Sequence, residues 1–157
     1  MNPLLFQYSQ GAELLRRSLN GMSREQMLAK PIPGKWSTLQ VVAHLSDFEP
    51  IYADRIKRAI AEESPLILSG DPDLFASRLE YEQRDPWEEL ELIAAVRKQL
   101  VRILAVQPES VYQRVGRHSA DGELTLETLL TRITNHIPHH VKFIHDKRQA
   151  LGLPSHF

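Results

Sequence analysis

Between residues 126 and 151, apolar side chains recur every three or four positions: Leu126, Leu129, Leu130, Ile133, Ile137, Val141 and Ile144. Over that length, such a period can bury one face only as an α-helix laid against other elements. The flanks agree. Thr125 suits an N-cap, Glu127 the positive end of the helix dipole, Lys147 and Arg148 the last turn, and Gly152 the position just beyond it. Three other stretches carry the same pattern. Leu4, Leu5, Tyr8, Leu14, Leu15 and Leu19 predict a helix over 3–20, ended by Gly21 and slightly weakened by Gly11. Leu39, Val42, Ala43, Phe48, Ile51, Ile56 and Ile60 predict one over 38–62, capped by Ser37 or Thr38. Asp85-Pro86 opens a third over 86–106, with Trp87, Leu90, Ile93, Val96, Leu100 and Leu104 on its apolar face. Four long helices, with no strand pattern longer than four residues, predict an all-α four-helix bundle with additional short helices.

The intervening segments read as connections. Ser23 and Gln26 fit a capping box for a short helix that stops before Pro31. Residues 31–34 and 64–73 form loops, 74–84 a modest helix, and 109–124 an irregular stretch with a turn at 120–122. Pro50 and Pro138 each sit inside a long helical pattern, where proline removes a hydrogen bond and kinks or breaks the axis. The 157 residues suit one domain with a tail from about 152 to 157.

The chemistry-bearing residues lie on two of these helices. His136 and His140 are four apart, so they stand about 40° apart around a helix axis and face the same way. That spacing lets one helix offer two imidazoles to one metal ion, as in helical zinc motifs, although the glutamate of His-Glu-x-x-His is absent. His44, on the apolar stripe of the second long helix, is the best third ligand, which predicts a three-histidine metal site spanning two helices. The bland alternative is a hydrogen-bonded group of half-buried histidines. His139, beside Arg132 and Lys142, is expected near the ligands or at the surface. Asp47, one turn beyond His44, reads either as a group that orients an imidazole or acts as a base, or as a solvated helix charge. Glu49 is expected on the surface, and Asp54, Arg55, Lys57 and Arg58 on the wet side of the helix. His118, His145 and His156 are expected to be exposed. Trp36 and Trp87 read as packing anchors, with Trp36 placed to line a cavity.

Composition excludes several classes. A net charge of −1 offers no electrostatic footprint for nucleic acid. The absence of cysteine rules out disulfides, thiolate metal sites and a cysteine nucleophile. No apolar run reaches the roughly 20 residues that span a bilayer, and the N-terminus lacks a basic signal-peptide region. The expectation is a soluble cytoplasmic domain. No phosphate-binding loop, nucleophile elbow or di-iron Glu-x-x-His pair is present.

Lys35-Trp36-Ser37, His44-Leu-Ser-Asp47-x-Glu49 and His136-x-x-His139-His140 follow one another in an order and spacing that resembles the DinB/YfiT-like superfamily. The likeness runs from the first helix to about Gly152. It implies a four-helix bundle holding a divalent metal on His44, His136 and His140, with His139 as a non-ligating neighbour; the imidazole donors make Zn or Ni the expected ion. It also implies a homodimer and a small-molecule substrate. Some relatives are transferases or isomerases that use a low-molecular-weight thiol, and others are called metal-dependent hydrolases; the resemblance alone favours thiol transfer over hydrolysis. Pro138, between the late histidines, departs from the family pattern. The two function classes expected from this reading are a metal-dependent enzyme and a non-catalytic bundle, stress-associated or interaction-mediating, that a metal only stabilises.

Overall fold

The computed structural model describes residues 2–154. Its long helices are α1 (Pro3–Leu19), α3 (Thr38–Ala61), α5 (Pro86–Ala105) and α6 (Leu126–Ala150), and its short ones α2 (Arg24–Leu28) and α4 (Pro72–Arg78). Each long helix begins on a side-chain cap that satisfies first-turn N–H groups. Asn2 accepts from Leu4 N, Asp85 from Trp87 N and Glu88 N, and Thr125 from Thr128 N. Ser37, rather than Thr38, caps α3 through a reciprocal capping box with Gln40. At the far end of α6, Gly152 takes a φ of 69°, and Leu153 N and Gly152 N donate to Arg148 O and Gln149 O. That pair of bonds is a Schellman stop.

In the bundle, α1 packs against α5 and α6, and α3 packs against the same two helices. The order around the bundle is therefore α1, α6, α3, α5, with α1 diagonally opposite α3. Consecutive long helices need not be neighbours here, because the connections between them are long enough to cross an end of the bundle. The connection from α5 to α6 does so as structure and not as loose chain. A one-turn helix at Glu109–Gln113 leads into β2 (Val115–His118) and β3 (Gly122–Thr125), an antiparallel hairpin with His118 opposite Gly122. β1 (Leu66–Ile67) pairs parallel with β2, so a small three-stranded sheet covers one end of α3. The expected irregular stretch is thus partly strand. The expected helix over 74–84 is also shorter: α4 ends at Arg78, and Tyr81–Gln83 forms a separate single turn. Trp87 is 42% exposed, so it is not the packing anchor that its spacing suggested.

Neither internal proline breaks its helix. Pro138 removes the N–H that Thr134 O, four residues back, would otherwise accept, and one residue earlier Arg97 Nη2, reaching across from α5, donates to Ile133 O at 3.1 Å.

Arg97 belongs to a buried polar group that ties all four long helices together. Its Nη1 donates to Tyr8 O at 2.7 Å, its Nη2 to Glu49 Oε2 at 2.9 Å, and its guanidinium carbon lies 4.4 Å from the Tyr8 ring centre. Tyr8 Oη donates to the other Glu49 oxygen at 2.6 Å. Glu49 is 0% exposed, so its expected place at the surface is corrected here. It stands about 140° around α3 from His44 and faces α1 and α5, on a helix whose residues 41–46 are all buried. Burial pushes its carboxyl up, while Arg97 and the Tyr8 phenol pull it back.

Gly11 makes room for this group. A Cβ at that position would lie 1.9 Å from Arg97 Nη1. Gly→Ala inside a helix ordinarily stabilises by about 1 kcal/mol. Here the sign should reverse: we expect Gly11→Ala to destabilise by roughly 1–3 kcal/mol through overpacking, read as a lower urea midpoint with an unchanged m-value.

Candidate metal centre

His44 on α3 and His136 and His140 on α6 come together across the α3–α6 contact. One ring nitrogen from each lies within 4.8 Å of the other two. The Nε2 atoms of His44 and His136 are 2.9 Å apart. The ring centres of the three form a triangle with sides of 4.8–4.9 Å. Local sequence explains the placement. The i, i+4 pair presents both α6 rings to α3, and His44 meets them from a turn whose other side chains are sealed in the core. Among the described residues no aspartate or glutamate joins the group.

The protein meets little of these rings' hydrogen-bonding demand. Nδ1 of His44, His136 and His140 is in each case buried without a partner. Burial also holds the rings well below the ordinary imidazole value: His44 at about 4, His140 at about 3 and His136 at about 2. They are therefore neutral at pH 7, the form in which imidazole binds a metal. Nitrogens 2.0–2.1 Å from a tetrahedral ion stand roughly 3.3 Å apart, so His44 and His136 need part by only a few tenths of an ångström. Converging, neutral and underused nitrogens fit a divalent metal.

The same pKa depression has a consequence for stability. In the unfolded chain these histidines take up protons near 6.5, whereas in the folded, metal-free protein they do so only at about 4 and below. The unfolded state therefore binds more protons below pH 6.5, and folding stability falls with acid in that range. We expect the metal-free protein to hold a level stability above about pH 6.5 and to lose it progressively toward pH 4, in urea titrations at a series of pH values. His136→Gln should flatten that slope.

The triad opens onto a cavity of about 410 Å³ along the α3–α6 groove. His44, Phe48, Tyr52 and Arg55 line it from α3, Arg132, His136, His139 and His140 from α6, His118 from β2, and Ser69, Gly70 and Asp121 from the loops above. Phe48 packs 5.4 Å from Phe75 of α4 and shields one side. His139 is exposed, with its ring 5.1 Å from that of His140. Trp36 stands 5.2 Å from His44 and lines a second cavity of about 360 Å³, which His140 separates from the first.

Asp47 lies elsewhere. Arg84 donates to both of its oxygens, at 2.7 and 3.2 Å, fastening the connection before α5 onto α3. Two other expectations are corrected. Arg55 is 5% exposed, not on a wet face, and His118 is 9% exposed on β2, not in an open loop. His145 is half-buried, and His156 lies outside the described residues. The pattern did hold a signal for the cavity: Arg132 is one helical turn before His136, and Arg55 is three turns beyond His44.

The comparisons with known proteins bear on this geometry. The family model of the DinB superfamily matches residues 7–144. The chain belongs to the DinB superfamily. A Bacillus licheniformis protein provisionally named a metal-dependent hydrolase is 27% identical over 144 residues, covering 91% of this chain and 82% of that one. An Oceanobacillus iheyensis protein of the same provisional name is 28% identical over 132 residues, covering 83% and 76%. In fold, the chain is similar to the solved structure of YfiT from Bacillus subtilis, described as having an unusual four-helix bundle topology. The TM-score is 0.89 at 22% identity, covering 96% of this chain and 87% of that one. The all-α bundle expected from the helical periodicity is therefore the fold of a DinB-superfamily protein. No helix among the described residues is long and apolar enough to cross a membrane.

Proposed function

We propose that this DinB-superfamily chain is a metal-dependent enzyme that acts on a small molecule held in the α3–α6 cavity, with His44, His136 and His140 as the metal ligands. The observation that carries the reading is the convergence of three neutral imidazoles, His44 buried and His136 and His140 half-buried, on a cavity. A divalent ion held this way supplies Lewis acidity that activates a small nucleophile at neutral pH. Three donors with no fourth among the described residues match an open site better than a closed structural one. Imidazole donors suit Zn and Ni alike.

The chain's own residues do the rest. The three rings hold position without protonation, the Phe48–Phe75 pair excludes water from one side, and exposed His139 stands at the cavity mouth, where a proton can pass to solvent. Hydrolysis is the leading reaction class, because the sequence relatives bear that name. Thiol transfer is the finer alternative implied by the wider family. As the chain has no cysteine, any thiol must enter as a co-substrate. The test is to assay protein loaded with Zn²⁺ or Ni²⁺ against ester, amide and electrophile-plus-thiol panels, beside His44→Ala. Turnover that needs both metal and His44 supports the reading. Equal rates in wild type and His44→Ala contradict it.

A further inference from the structure

The cavity has a second polar end. One helical turn from His136, about 6 Å along α6, Arg132 enters it, and Arg55 and His118 face the same space from α3 and β2. Arg55 is nearly fully buried. Its Nη2 donates to Leu68 O at 2.6 Å and its guanidinium carbon lies 4.6 Å from the Tyr52 ring centre, while its buried Nε has no partner. The His118 Nδ1 accepts from the backbone N–H groups of Ala120 and Asp121 at 3.3 and 3.1 Å. With that nitrogen acting as acceptor, the neutral ring carries its proton on Nε2 and has a donor to offer. Asp121, on Arg132, is the one carboxylate among the described residues that line the cavity. Two guanidinium groups against one carboxylate leave this wall with a net positive charge.

We propose that Arg132 and Arg55, with the Nε2–H of His118, form an anion subsite that takes a carboxylate of the substrate and aims the rest of the molecule at the histidine triad. A guanidinium offers paired N–H groups in the planar geometry that a carboxylate accepts. The three donors come from three separate elements, Arg55 fixed by Leu68 O and the Tyr52 ring, His118 by two backbone N–H groups and Arg132 by its ion pair with Asp121, so the wall is organised before a ligand arrives. A site built this way favours a substrate carrying a carboxylate two to four methylene groups from the reacting centre. The inference rests on the proposed metal-dependent reading, and its test separates the two.

The test uses zinc-loaded protein and the monohydroxamates of succinate, glutarate and adipate, each compared with its methyl ester at the free carboxylate. The hydroxamate end is the same in both, so the acid and the ester differ only in the anion. We expect the acid of the best-fitting length to bind about tenfold tighter than its ester or better. In Arg132→Gln that ratio should fall toward one while the affinity for the ester stays unchanged, and Arg132→Lys should restore part of it. Arg132 is the residue to replace because its side chain is 39% exposed and its loss should leave the core intact. Equal binding of acid and ester at every length, or a preference that survives Arg132→Gln, overturns the subsite. Metal content is measured on the same samples. If no zinc is taken up, the histidine reading fails by itself, and glutarate is titrated into metal-free protein followed by amide NMR. Shifts at residues 117–121 and 132 that vanish in Arg132→Gln then support the subsite, and their absence overturns it.

Discussion

Replacing His136 with alanine is expected to lower divalent-metal affinity more than the roughly 10–100-fold that removing a ligand's hydrogen-bonding partner costs. The His136 ring is held the furthest below the ordinary imidazole value, chiefly by burial, and its Nε2 lies 2.9 Å from that of His44. Alanine leaves His44 and His140 facing each other across an empty corner, with two donors where the ion needs three. Competition with a coloured chelator reads the change directly. His139→Ala, one turn away and exposed, serves as the control and should leave affinity within a few-fold of wild type. Near-equal affinity in His136→Ala would contradict a shared site. The fold should survive, because the substitution removes a group whose polar demands the protein does not meet.

Glu49→Ala should have the largest effect on stability, a loss of roughly 3–5 kcal/mol, out of the 5–15 kcal/mol typical of a domain. The substitution deletes the acceptor of Tyr8 Oη and the counter-charge of an Arg97 that is 2% exposed. The Arg97 bonds to Tyr8 O and Ile133 O remain and hold the guanidinium in place. An uncompensated buried guanidinium is the dominant cost. Glu49→Gln also removes the charge but keeps one acceptor for Arg97 and leaves no cavity, with its amide N–H placed to donate to Tyr8 Oη, so it should lose less than Glu49→Ala. Urea denaturation of the three proteins gives the ordering wild type, Glu49→Gln, Glu49→Ala. If Glu49→Ala proves neutral, the four-helix network is not what holds the bundle's centre.

The bundle was legible in the sequence because helix periodicity is local: each apolar stripe and each cap is written within one segment. The histidine group was legible for a related reason. His136 and His140 are tied by helix geometry alone, and His44 stood on its own strong pattern. What the sequence hid are pairings between distant segments. Glu49 meets Tyr8 and Arg97 at separations of 41 and 48 positions, and a carboxylate in mid-helix looks solvated until those partners are placed. Arg55 was read as a wet-side charge because its burial depends on the loop carbonyl of Leu68 and on the hairpin. His118 looked like a loop residue because its strand is four residues long and pairs with a β1 of only two.

The most direct test of the account is X-ray absorption spectroscopy on zinc-loaded protein, with metal stoichiometry taken from the same sample. The account predicts about one ion per chain, with three imidazole nitrogens at roughly 2.0–2.1 Å and at least one further oxygen ligand from outside the protein. His140→Ala should abolish that signature. Zinc bound through one or two imidazoles only, or a spectrum unchanged in His140→Ala, would contradict it.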